Sequence, residues 1–186
     1  MDIMIKRNLL VLGLLAAFPV AGLAQDISYN YIEGGYSRIE SGVDADGWAV
    51  NGSAALNDEF HVFGGYSQNE FDRSNVDLDI FNVGLGYNHA LSNRLHLLGR
   101  VGYENFDTNF TSSTDAWFTE VGARGVLVTN LEGWALAGYE DGDGLDGEFY
   151  GKIGGLYKFT PRWGLSAEVK LIDGDQQYFV GPRVSF

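Results

Sequence analysis

The 186-residue sequence has no cysteine. That excludes a disulfide frame, thiol chemistry, a cysteine-rich metal centre and a lipidated N-terminal anchor. Cations are few: 12 Lys and Arg stand against 25 Asp and Glu, a formal charge of −13. So acidic a chain repels phosphate backbones, which argues against nucleic acid as a partner. Proline is scarce at three residues, whereas glycine reaches 26 and aromatics 14%. This mixture suits twisted strands with an aromatic surface better than helices, where glycine is costly. Only His61, His89 and His96 offer imidazoles, and no His-Ser or His-Asp arrangement accompanies them. No catalytic, cofactor-binding or metal-binding constellation is read, and the protein is expected not to be an enzyme.

Long apolar runs are also missing, except at the N-terminus. Lys6 and Arg7 precede an apolar stretch from Leu9 to Phe18, Pro19 breaks it, and Gly22 and Ala24 are small. The segment predicts a signal peptide over 1–24, cleaved between Ala24 and Gln25, and is too short to cross a bilayer of about 20 helical residues. Export through the inner membrane follows. The mature chain, 25–186, reads as one domain.

What fills that domain is alternation. Trp48, Val50, Gly52, Ala54 and Leu56 alternate with small and polar residues, as do Phe81, Val83, Leu85 and Tyr87. Phe149 to Phe159 and Trp163 to Leu171 repeat the pattern. Period two means strands with one apolar face. Here the other face is small, polar and charged, and Trp and Tyr rim the apolar one, as expected for a barrel with lipid outside and a polar lumen. About ten strands are predicted, at 27–38, 46–56, 60–70, 78–90, 95–106, 116–128, 132–141, 148–159, 163–172 and 177–186. The expected fold is all-β, a closed antiparallel transmembrane β-barrel, with eight strands and an extra hairpin as the alternative.

Connections are expected in two alternating classes. Short ones, such as Asn57-Asp58-Glu59 and Thr160-Pro161-Arg162, suit periplasmic turns. Longer acidic ones, carrying Glu40 and Asp44, Asp72 and Asp77, Asp107 and Asp115, Asp141 to Asp146, and Asp173 and Asp175, would be extracellular loops. Asp141-Gly142-Asp143-Gly144-Leu145-Asp146-Gly147 hints at a calcium loop but fails the EF-hand spacing. It reads as a solvated acidic loop, with weak divalent bridging to lipopolysaccharide phosphates as the alternative. Phe60-His61-Val62-Phe63-Gly64-Gly65 and Leu95-His96-Leu97-Leu98-Gly99-Arg100 form a coarse repeat, each opening an upward strand.

Glu33, Arg100, Glu104, Glu120, Arg124, Lys152, Glu168, Lys170 and Arg183 share lumen parity. An outward Arg or Lys at mid-bilayer would cost about 2–4 kcal/mol. These nine are expected to form an ion-paired plug, with Arg100 opposite Glu120, or alternatively a charged constriction in a narrow pore. The facing of the first and seventh strands stays open. Glu33 would take Tyr29 and Tyr31 inward with it, and Trp134 and Leu136 share parity with Glu132 and Glu140. Pro182 predicts a bulge or a local break in the last strand.

That last strand ends on Phe186. Tyr178, Gly181, Val184 and Phe186 are spaced like the C-terminal signal that the barrel-assembly machinery reads in outer-membrane β-barrels. Ile27 to Tyr36, Asp44-Ala45-Asp46-Gly47-Trp48, Ala137 to Asp141 and Tyr178 to Phe186 resemble a family of small outer-membrane proteins of xanthomonads and their relatives. The likeness covers nearly the whole mature chain. The family is labelled a sulfation-dependent quorum factor, or activator of plant innate immunity. The resemblance implies an outer-membrane barrel associated with biofilm, motility and virulence, and a sulfated tyrosine that would here be Tyr29.

The expected function is a non-enzymatic integral outer-membrane barrel with acidic surface loops, serving envelope structure and surface interaction. Its expected partners are outer-membrane lipids, lipopolysaccharide, the barrel-assembly machinery and a host or surface receptor; no cofactor is implied. The alternatives are a narrow passive channel, an exported or vesicle-borne quorum signal, and a lipid-modifying enzyme.

Overall fold

The computed structural model describes residues 27–72, 76–109, 111–142 and 145–186. The expected signal peptide and its cleavage point at Ala24 and Gln25 lie outside them. The strands in chain order are β1 Tyr31–Glu40, β2 Ala45–Ala55, β3 Phe60–Phe71, β4 Asp77–Ser92 and β5 Leu95–Thr108. They continue as β6 Thr111–Val128, β7 Leu131–Gly142, β8 Leu145–Lys158, β9 Trp163–Ile172 and β10 Asp175–Ser185. Each strand pairs with its sequence neighbours, and β1 closes antiparallel onto β10. The result is a closed ten-stranded barrel, not an eight-stranded one. Closure leaves no unpaired strand edge.

One expectation is corrected. The connections at the end away from the chain termini are 41–44, 72–76, 109–110, 143–144 and 173–174; those at the opposite end are 56–59, 93–94, 129–130 and 159–162. Length does not separate the two ends. The acidic residues read as long loops are largely strand extensions: Asp77, Asp107, Asp115, Asp141 and Asp175 all sit in ladders. Local hydrogen-bonded pairing continued past the point where alternation faded. The calcium-like stretch accordingly shrinks to the connection at 143–144, outside the described residues.

Side-chain direction follows solvation. Val50, Val83, Leu85, Val101, Val121, Ile153, Leu165 and Val180 are exposed on the outer face. Inward, Glu33, Glu120, Arg124, Glu132, Lys158, Lys170 and Arg183 are buried. Charge cost also settles the two open strands. Tyr29 and Tyr31 turn inward with Glu33, and Trp134 and Leu136 turn inward with Glu132. Arg100 lies directly opposite Glu120.

Aromatics ring the outer face at two levels. Near the chain termini stand Phe60, Tyr87, Tyr157, Phe159, Trp163 and Phe186, all exposed. At the other level each of the first four hairpins carries a cross-strand pair: Tyr36 with Trp48, Tyr66 with Phe81, Tyr103 with Trp117, and Tyr139 with Phe149. In three of them the tyrosine hydroxyl reaches a carboxylate two residues before its partner. Tyr36 donates to Asp46 at 3.1 Å, Tyr103 donates to Asp115 at 2.6 Å, and Tyr66 bonds Asp79. The sequence of each motif is Asp-x-aromatic: Asp46-Gly47-Trp48, Asp79-Ile80-Phe81 and Asp115-Ala116-Trp117. A ring that must be apolar on one side and wet on the other gains from a polar partner at its tip.

The seam between β1 and β10 has one defect. Glu33 pairs with Arg183 and Tyr36 with Val180, but the pairs at Gly34 and Gly35 between them are missing. Phe186 donates to the Asn30 carbonyl at 3.1 Å, so even-numbered β1 residues occupy the hydrogen-bonding positions of this ladder. Residue 182 would therefore donate to Gly34, and proline has no hydrogen to give. The register does not shift, so the expected break occurs without a bulge. The backbones stay close: a Cβ on Gly35 would fall 2.1 Å from the Val180 carbonyl oxygen. Pro182→Ala restores the donor, and an added net hydrogen bond is worth about 1 kcal/mol. We expect the variant to unfold at higher urea than the parent in detergent or liposomes. An unchanged or lowered midpoint would refute this account of the seam.

Candidate functional site in the barrel lumen

All nine residues expected in the lumen network line one internal cavity of about 180 Å³. The cavity runs from Tyr31 and Arg124 up to Ser37, Ser67 and Gln177. Its two walls differ. Strands β2 to β4 turn in small or neutral residues, such as Ala49, Asn51, Ser67 and Asn82, while β5 to β10 supply most of the charge.

The ion pairs order the charged wall. Arg183 contacts Glu33 at 2.6 Å and donates to Ser166 at 3.2 Å. Lys152 contacts Glu120 at 2.6 Å, and Arg100 reaches the same carboxylate at 3.6 Å. Tyr150 donates to Glu120 at 3.0 Å. Lys170 contacts Glu140 at 2.5 Å. Lys152 and Lys170 are direct cross-strand neighbours, a repulsive placement, and they diverge because one is drawn to β6 and the other to β7. Aromatic faces take up the rest of the cationic surface: Arg183 sits 4.0 Å from the Tyr31 ring centre, Lys170 4.4 Å from Tyr150 and Arg100 5.1 Å from Phe63.

Sequence reasoning missed three members. Glu132 holds both Arg124, at 2.6 Å, and Lys158, and Glu140 holds Lys170. Glu132 and Glu140 lay on the strand whose facing stayed open. The signal that could have placed them is the one used for Glu33: carboxylates at apolar parity decide the parity. With these three, the described lumen holds six cations and six carboxylates. Every one of the six cations has a carboxylate within 4.0 Å. Glu120 and Glu132 are each shared by two cations, whereas Glu104 and Glu168 have no ion pair of their own. Glu168 instead accepts from the Trp134 indole at 2.6 Å.

Below the cavity, at the mouth beside the chain termini, residues 27–30 enter the barrel ahead of β1. Ile27 and Tyr29 pack with Leu98, Val126, Trp134, Leu136 and Leu156. Tyr29 is 6% exposed. Its ring stacks on His61 at 4.5 Å and on His96 at 5.8 Å, and its hydroxyl lies 3.1 Å from His96 Nδ1. A transferase could reach that hydroxyl only before the segment seats. The histidines come from the second position of the repeat noted above, which places them alike on β3 and β5. Asn88 Nδ2 donates to the Asp58 carbonyl at 2.7 Å, so its oxygen faces His61 Nδ1 at 3.1 Å and that nitrogen carries the proton. A Cβ on Gly86 would come within 2.2 Å of the His61 ring, so only glycine fits beneath it. His89 is exposed on the outer face beside Tyr87.

The C-terminal signal residues sit on the closing strand. Val184 and Phe186 continue the outer face, Gly181 lies at the seam, and the Tyr178 hydroxyl contacts Gln176 and Glu40. On the outer surface at the acidic end, Arg38 meets Glu40 at 3.0 Å and Asp44 and Asp46 at 2.9 Å each. Among the described residues no three His, Cys, Asp or Glu side chains are grouped to hold a metal ion.

No protein-family model matches this chain, and no curated protein matches it. Solved structures similar to it are barrels. KdgM porin is 13% identical over 83% of this chain and 99% of its own, with a TM-score of 0.49. The translocator domain of autotransporter NalP from Neisseria meningitidis is 13% identical over 98% and 95%, with a TM-score of 0.46. The attachment invasion locus protein Ail of Yersinia pestis is 13% identical over 86% and 100%, with a TM-score of 0.39.

The ledger of charges makes a directional prediction. Glu132→Gln strips two buried cations of their shared anion and should cost about 3–5 kcal/mol. Glu104→Gln removes a carboxylate with no ion pair of its own within 4.0 Å and should leave stability unchanged or raise it. Urea unfolding of both variants in the same detergent decides: equal losses would show that pairing is not what holds the lumen.

Proposed function

We propose that the protein is a non-enzymatic integral outer-membrane barrel, filled rather than open, that presents an acidic crown at the cell surface. One observation carries this. The outer face is apolar between two aromatic rims, while the charges it would have had to expose are turned inward and paired. Lipid is the solvent that selects such an arrangement, because water would not penalise the reverse. Barrels of this kind reside in the outer membrane of Gram-negative cells, with the end that holds the chain termini facing the periplasm. Tyr178, Gly181, Val184 and Phe186 would be read by the barrel-assembly machinery.

The remaining net charge assigns the working end. The lumen is neutral in sum, and Asp58 and Glu59 at the periplasmic turns are balanced by Arg94 and Arg162. Among the described residues the other carboxylates from Glu40 onward stand at the extracellular end, where Arg38 is the cation that opposes them. We assign that crown to envelope structure and surface contact: lipopolysaccharide beside it, and a host or surface receptor above it, as in biofilm or virulence. Vesicles shed from the outer membrane would carry the barrel outside the cell.

The protein should fractionate with the outer membrane, migrate faster on a gel before boiling than after, and give no conductance steps in a planar bilayer at pH 7.5. Soluble protein in vesicle-free supernatant without a heat shift would overturn the membrane assignment. Regular conductance steps at pH 7.5 would overturn the filled lumen and favour the passive channel.

A further inference from the structure

The periplasmic mouth is closed by a piece of chain that belongs to no strand. Residues 27–30 belong to no strand; Asn30 is anchored by Phe186 N–H to its carbonyl and by Ala55 N–H to its Oδ1, while Ile27 and Tyr29 are held by their insertion. Directly above lies the cavity, whose floor includes Tyr31, Arg124 and Trp134. The segment thus sits between the cavity and the periplasmic mouth, packed with Leu98, Val126, Trp134, Leu136 and Leu156.

Its seat is made of groups that titrate. On β3, His61 is wholly buried, and its Nε2 has no hydrogen-bond partner. On β5, His96 meets the Tyr29 hydroxyl. The charged groups facing this layer are Arg100 on β5, Arg124 on β6, Glu132 on β7 and, through Glu132, Lys158 on β8. Tyr31 faces it from β1, and β4 contributes only neutral Asn88. The Arg124 guanidinium already lies 5.2 Å from the Tyr29 ring centre. Arg100 is committed to Glu120, which Lys152 shares. With both histidines neutral, Arg124 and Lys158 stand against Glu132. With both protonated, four cations would stand against that one carboxylate beside Leu98, Val126 and Leu156, with His61 wholly buried and His96 half-buried under the stopper.

We propose that Ile27–Tyr29, hinged at the anchored Asn30, is an acid-released stopper, seated while His61 and His96 are neutral and displaced when they take up protons, which opens the lumen cavity to the periplasm. The sign follows from linkage. In the open state water reaches both imidazoles, which then titrate near their ordinary value of about 6.5. The open state therefore binds more protons as pH falls through that range, and the seated state is lost in acid and restored above it. Each histidine that charges only when open shifts the balance about tenfold per pH unit below 6.5. The inference rests on the lumen being filled at neutral pH, not on any role of the surface crown.

The absence of cysteine makes the test direct. Ile27→Cys gives a single thiol under the stopper, and Val43→Cys gives one at the exposed opposite end. Both are labelled with a water-soluble maleimide on heat-modifiable, detergent-folded protein at pH 7.5, 6.5, 5.5 and 5.0. The ratio of the two rates cancels the thiol's own pH dependence. We expect the ratio to be low at pH 7.5 and to rise at least tenfold by pH 5.0, reversibly. In a His61→Gln, His96→Gln background that still shifts on heating, the ratio should stay at its neutral value. A ratio flat from 7.5 to 5.0 in the parent would overturn the proposal, as would an equal rise in the double-glutamine protein. Conductance at pH 7.5 would count against the filled lumen instead, and is measured separately.

Discussion

A barrel in lipid cannot leave a lone charge on its outside, and most of this structure follows from that constraint. An exposed carbonyl or ammonium in hydrocarbon has no water to turn to. Hence the sheet must close, every mid-strand charge must turn inward, and the inward charges must find each other. The ladder registers satisfy the last demand directly where Glu33 faces Arg183 and Arg100 faces Glu120. Elsewhere long side chains cross the lumen: Lys152 and Lys170 leave their own neighbourhood for carboxylates on β6 and β7. Small residues on β2 to β4 leave the room for this crossing. Composition, register and lumen packing are thus three consequences of one solvent.

That is also why so much was legible. Alternation reports the difference between lipid and lumen, so strand number and side-chain direction could be read wherever the outer face was uniformly apolar. The nine expected lumen charges all came to one cavity. Legibility failed where the lumen itself contains large apolar side chains. On β7, Trp134 and Leu136 look like outer-face residues, and their being inside depends on Glu132 and Glu140 at the same parity. Strand ends were misjudged for a different reason. Beyond the aromatic rim both faces are wet, so Asp107, Asp115 and Asp175 carry no alternation even though hydrogen-bonded pairing continues through them.

The tyrosine-to-aspartate motif was present in the sequence but not separable from loop acidity. Asp46, Asp79 and Asp115 look like members of an acidic surface until the register puts a tyrosine hydroxyl beside each. Its recurrence on successive hairpins gives the rim away from the chain termini a repeated unit: an aromatic pair below and a carboxylate above. The fourth hairpin departs from it, with Gly147 where the aspartate would stand and the Tyr139 hydroxyl packed against that glycine. The fifth hairpin lacks the pair, since Tyr178 faces Val169.

Paired lumen charges are therefore poor evidence for an ion path, because closure in lipid demands them whatever the barrel does. The informative features are those that closure does not require. A barrel of ten strands closes without residues 27–30, yet Ile27 and Tyr29 are drawn into its mouth. A neutral lumen could have been built from six exclusive pairs, yet Glu120 and Glu132 each serve two cations while Glu104 and Glu168 serve none. An inert filling of the mouth would favour aliphatic side chains, yet the tyrosine there is held between two imidazoles with a guanidinium beside it. Leu98, Val126 and Leu156 show that aliphatic packing was available at the same level. Titrating groups packed against the one described segment of the lumen that belongs to no strand are what the proposed stopper would use.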